Sequence, residues 1–73
     1  MDEFATRLFD VLQEREYKQL YVARMVGTDP KRVNDWVHGK CLPDLWHFKK
    51  LCKVLGVSAD YLLFGKGGIN DEI

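Results

Sequence analysis

The tetrapeptide Gly27-Thr28-Asp29-Pro30 is a helix stop followed at once by a helix start. Glycine just past a helical run takes the left-handed cap conformation that other residues resist. Asp-Pro then supplies an N-cap side chain and a proline at the first helical position, where the missing N–H costs nothing. Before the turn, Gln19 to Val26 offers Val22, Ala23 and Val26 for burial; after it, Val33, Trp36 and Val37 share one face of a helix that ends at Gly39. Helices this short are not stable alone. Joined by so tight a turn, they must pack against each other at a steep angle and bury their apolar faces in a larger bundle.

The rest of the chain supplies that bundle. Phe4, Leu8, Val11, Leu12 and Arg15 recur at helical spacing, so residues about 3–16 read as an amphipathic helix. Pro43-Asp44 opens another, with Leu45, Phe48, Leu51, Cys52 and Leu55 at intervals of three and four, closed by Gly56. Ser58 caps a last short helix through Phe64. The expectation is an all-α fold, a compact bundle of five helices. It spans residues 1–65, with 66–73, beginning Lys66-Gly67-Gly68, as a flexible tail.

With 73 residues there is room for one small domain. The longest apolar runs, Leu20–Ala23 and Tyr61–Phe64, are four residues each, against the roughly 20 of a membrane helix. Met1-Asp2-Glu3 leads into no apolar stretch, so neither a secretory signal nor a membrane association is expected, and the setting reads as cytoplasmic. Cys41 and Cys52 are then expected to stay thiols, one in a loop and one as a small core residue.

The formal net charge of zero conceals a segregation. Arg15 to Lys53 holds nine Lys/Arg against four acids, a net +5; the flanks hold two against seven, a net −5. The middle of the chain is therefore suited to an anionic partner.

A glycine turn between two short helices, the second started by proline, is a helix-turn-helix. The details are specific. Gln19–Ala23–Gly27, Trp36-x-x-Gly39-Lys40-x-x-Pro43 and Leu55-Gly56-Val57-Ser58-x-Asp60 stand in one register, with Arg7-Leu8, Val33, Leu45, Leu51, Lys53 and Leu62-Leu63 around them. In these residues, over about Arg7 to Leu63 without a gap, the chain resembles the lambda-repressor-like (Cro/C1-type) helix-turn-helix family. The resemblance implies a five-helix bundle that binds double-stranded operator DNA, usually as a homodimer, as in small phage-type repressors. Carried over by position, Pro30, Lys31, Asn34 and Asp35 would face the bases. Lys18, Gln19, Arg32, His38 and Lys40 would meet phosphates. Lys31 suits guanine O6/N7, Asn34 adenine and Asp35 cytosine N4, while Pro30 can only touch a thymine methyl. For a homodimer contact the chain offers Tyr61, Leu63, Phe64 and Ile69, since Tyr61 to Phe64 cannot all face one core from so short a helix.

The chain also departs from the family. Lys18 stands where Ser or Thr usually caps the second helix, and Glu16 where a glycine is frequent. Asp29 and Asp35 put two carboxylates near the groove face. Phe9, Leu12, Leu20, Tyr21 and Trp46 are apolar where the family is polar. The leading expectation is a DNA-binding transcriptional repressor that acts by occluding its operator. The alternative is a protein-interaction module, of antirepressor or antitoxin kind, on the same fold. No enzyme, cofactor or small-molecule ligand is expected, since no nucleophile–base pair or phosphate-cradling loop stands out. A metal site among His38, Cys41, His47 and Cys52 is disfavoured, because His47 and Cys52 sit five residues apart on one helix and point to different faces.

Overall fold

Five helices carry the fold: α1 (Glu3–Arg15), α2 (Gln19–Val26), α3 (Pro30–Val37), α4 (Leu45–Leu55) and α5 (Ala59–Phe64). The computed structural model describes residues 3–65, and among these no strand occurs. Every helix contributes one side chain with no solvent exposure: Leu8, Val22, Val33, Leu51 and Leu62. Trp36 lies among them, 1% exposed, and its ring is the largest side chain so deeply buried. This shared centre is why helices of six to thirteen residues hold their shape.

The helix ends follow from local chemistry. Asp29 accepts from the Arg32 N–H, Asp44 from the His47 N–H and Ser58 from the Tyr61 N–H, so α3, α4 and α5 each begin with a side-chain cap. Lys18 has no acceptor, and α2 starts with no such hydrogen bond. At the far end of α2, Gly27 takes φ +89° and its N–H reaches the Ala23 carbonyl. Glu16, in the link between α1 and α2, holds φ +59° with a side chain in place, the one non-glycine residue with positive φ among those described. Glycine would take that conformation without the steric cost a side chain carries there.

Two arginines of α1 close the ends of other helices. Arg7 donates from Nε to the Leu62 carbonyl at 3.1 Å and from Nη2 to the Leu63 carbonyl at 2.8 Å. Arg15 donates from Nε to the Leu55 carbonyl at 2.6 Å. The last carbonyls of α5 and α4 thus receive a cation, which also suits the negative ends of the helix dipoles.

Two sequence expectations need correction. Leu45 does not join the core stripe of α4: it is 74% exposed, with Leu51 and Leu55 buried and Phe48 and Cys52 half-buried. It is the first helical residue, and side chains lean toward the helix N-terminus, so it overhangs the end of α4. The third helix stops at Val37, before Gly39, because His38 forms the cap and Gly39 turns left-handed at φ +74°.

Candidate nucleic-acid interface

The outer face of α3 follows from how its inner face is fixed. Val33, Trp36 and Val37 are buried, which at 3.6 residues per turn leaves Lys31, Asn34 and Asp35 on the outer side, while Pro30 lies on the stripe of Val33 and Val37 at the helix start. Pro30 and Lys31 are exposed, and Asn34 and Asp35 are half-exposed. Lys31, Asn34 and Asp35 share one outer face, and Pro30 is exposed at its edge, in the first turn.

Two of them are already paired with each other. Lys31 Nζ lies 3.8 Å from Asp35 Oδ2, with the lysine side chain 86% exposed and the aspartate 24%. The lysine offsets the carboxylate that would otherwise repel phosphates. Being so exposed, it can leave that pair at little cost.

Asn34 makes a contact the sequence does not announce. Its Nδ2 donates to Gln19 Oε1 at 3.1 Å, joining the start of α2 to the middle of α3. That uses one of two amide hydrogens. The other amide hydrogen and Oδ1 are left for a base edge, and the Gln19 amide nitrogen is left to donate. The two residues hold each other in position across the turn.

The expected phosphate set flanks this surface. Lys18 is exposed at the start of α2, and Arg32 is exposed at the side of α3. His38 folds back on its own helix: Nδ1 lies 2.8 Å from the Asn34 carbonyl. A carbonyl only accepts, so Nδ1 carries the hydrogen, and Nε2 can donate to a phosphate only in the imidazolium form. Lys40 projects from the loop after α3, its backbone N–H fixed to the Asp35 carbonyl at 2.9 Å.

That loop is anchored from the other side by α4. Asp44 Oδ1 accepts from both the backbone N–H and Nδ1 of His47, each at 2.9 Å. The backbone hydrogen bond from His47 holds the Asp44 carboxyl below its ordinary range; desolvation opposes it, and the His47 ring and the Arg32 charge add to the lowering. The His47 ring in turn packs on Trp36, centroids 5.8 Å apart. Core packing and a helix cap together fix where Lys40 stands.

The other residues weighed in the sequence do not converge. His47 is engaged by Asp44, His38 by its own helix, Cys41 is exposed, and Cys52 is half-buried with its thiol pushed up by burial. At the end of α5, Leu62 turns inward, Tyr61 is half-buried, and Leu63 and Phe64 are 45% and 66% exposed. Ile69 lies outside the described residues. Of the apolar departures from the family, Leu12 is buried, whereas Phe9, Leu20, Tyr21 and Trp46 remain exposed. No described helix is long and apolar enough to cross a membrane.

Known proteins bear on this arrangement in two ways. Among curated proteins no sequence matches the chain. Among solved structures, the fold is similar to the P22 c2 repressor protein, crystallised in complex with synthetic operator 9T. The TM-score is 0.84 at 24% identity, over 90% of this chain and 100% of that one. A model of the helix-turn-helix family matches residues 8–62, which takes in all of α2 to α4 and most of α1 and α5. The chain belongs to the Cro/C1-type helix-turn-helix family.

Proposed function

We propose that this protein is a sequence-specific DNA-binding transcriptional regulator, a Cro/C1-type repressor that acts as a homodimer by occluding its operator. The observation that carries the reading is the brace between Gln19 and Asn34 beside the outer face of α3. It orients a phosphate donor and a base reader together, in a bundle similar to one crystallised on an operator. In this reading the start of α3 enters the major groove with Lys31, Asn34 and Asp35 at base edges. Lys18, Gln19, Arg32, His38 and Lys40 hold the backbone on either side. The role is binding, not catalysis.

The test is the salt dependence of binding to duplexes enriched from a random pool. Two protomers neutralising roughly 4–8 phosphates give a log–log slope of about −4 to −7. A slope near zero, or no binding at about 50 mM salt, removes the reading.

One observation favours a protein-interaction module instead. The exposed side of α2 carries an open groove of about 430 Å³ lined by Glu16, Tyr17, Lys18, Leu20, Tyr21 and Arg24. On that reading the same salt titration shows no DNA complex.

A further inference from the structure

Asp35 is the only acid within α3, and its carboxylate has a single charged partner. Lys31, one turn earlier, brings Nζ to 3.8 Å from Asp35 Oδ2, and no other cation pairs with Asp35 among the described residues. The neighbours that would replace that lysine are engaged elsewhere. Asn34 is held by Gln19 and, one residue away on a helix, does not face Asp35. His38 turns Nδ1 to the Asn34 carbonyl. Arg32 lends its charge to Asp44. The aspartate side chain is also the more enclosed member of the pair, 24% exposed against 86% for the lysine.

We propose that Lys31 and Asp35 form one coupled reader, so that guanine opposite Lys31 and cytosine opposite Asp35 are selected together. The inference rests on the DNA-binding reading and names the bases its site takes. In the free protein the exposed lysine leaves the pair at little cost. At a base edge the balance changes. When Lys31 moves to guanine O6/N7, Asp35 keeps its charge in a groove of acceptors and phosphates from which water is displaced. A carboxylate left there without a partner is strongly disfavoured. Cytosine N4 supplies the missing donor; adenine N6 also donates, but its N7 acceptor lies beside it. Guanine at the first position therefore gains most of its value only with cytosine at the second, and linkage makes that dependence mutual.

The two contacts fall on different base pairs. Four residues of helix advance about 6 Å, and successive base pairs are about 3.4 Å apart. With α3 lying along the groove, the linked positions stand one or two steps apart. Asp35 cannot follow the lysine when the pair opens. Its backbone carbonyl accepts from the Lys40 N–H at 2.9 Å, and its short side chain stays with the helix. The lysine has the longer stem, so the member that moves is Lys31.

The experiment measures binding of the full chain, Asp35→Asn and Lys31→Met to duplexes enriched from a random pool, each protein checked for its thermal midpoint. The duplexes carry every single and paired base change at the positions the full chain discriminates. For the full chain, the guanine preference should be roughly 5–50-fold larger with cytosine at the linked position than without it. In Asp35→Asn the guanine preference should remain and no longer depend on its neighbour. In Lys31→Met the cytosine preference should remain with the guanine preference gone. An aspartate that only shapes the helix would instead lower all affinities alike when replaced, and that result overturns the proposal. Should Asp35→Asn not fold, Lys31→Met decides, because coupling that persists without the lysine charge also overturns it. So does coupling that survives in folded Asp35→Asn, or full-chain preferences that multiply independently to within about twofold. That last result leaves the DNA reading standing, whereas a full chain that binds no duplex removes both.

Discussion

Lys31 and Lys40 carry the same charge but are held differently, and that difference separates their proposed roles. Lys31 sits in the first turn of α3 within reach of Asp35, while Lys40 stands in a loop whose backbone is tied to the end of α3. Lys31→Ala should change which bases are tolerated, costing about 1–3 kcal/mol on the preferred site. Lys40→Ala should weaken all sequences alike and reduce the salt slope by about 1. Affinity matrices for both variants check this, and a uniform loss in both would merge the two roles. Trp36 belongs to the core and not to the interface. At 1% exposure, against the His47 ring, its replacement by alanine should cost about 3–5 kcal/mol. A domain with only about 5 kcal/mol to lose would then keep about 0–2 kcal/mol, and its calorimetric midpoint should fall sharply. The pairing of Lys31 with Asp35 is legible in the sequence, since residues four apart are neighbours on a helix. The pairing of Asn34 with Gln19 is not: the residues are fifteen apart, and only the crossing of α2 and α3 brings them together.

Among the elements, most helix boundaries are legible from a cap or a glycine, although α3 ends at Val37, two residues before Gly39. Asp29, Asp44 and Ser58 open α3, α4 and α5, and Gly27 and Gly56 close α2 and α4. The arginine clamps were not readable, because Arg7 and Arg15 reach carbonyls 55 and 40 residues away or more. Leu45 misled for the opposite reason: its spacing is right, but periodicity says nothing about where a helix outruns its neighbours. The cap of α4 gives an acid-sensitive joint. Because the Asp44 carboxyl is held below its ordinary range, its contribution is present above that range and lost as pH falls through the lowered value. Thermal midpoints from about pH 6 to about pH 2 should therefore fall less in Asp44→Asn, which keeps an acceptor but has no charge to lose. At α2 the missing cap is correctable. Lys18→Ser should stabilise the free protein by about 1 kcal/mol, measured by denaturant titration.

For the molecule as a whole, the charge segregation along the chain corresponds to the chemistry of its surfaces. The basic middle, Arg15 to Lys53, contains all the residues proposed to hold DNA, and α1 binds the bundle together from behind with Arg7 and Arg15. A net charge of zero therefore does not describe what a duplex would meet. The open start of α2 has a consequence for thermal denaturation. On the proposed reading, an oxygen supplied there by a phosphate would do the work that Ser or Thr does at other helix starts, so a bound duplex would complete the fold as well as occupying it. Melting temperature then becomes a measure of occupancy, rising with duplex concentration as ligand linkage requires. It also separates two contributions that affinity alone combines. In Lys18→Ser the free protein should melt higher while the increment on adding duplex shrinks, because the hydroxyl has already closed the position the phosphate would fill and the lysine's own proposed phosphate contact is gone. Equal increments in both proteins would mean that the start of α2 stays open to water in the complex.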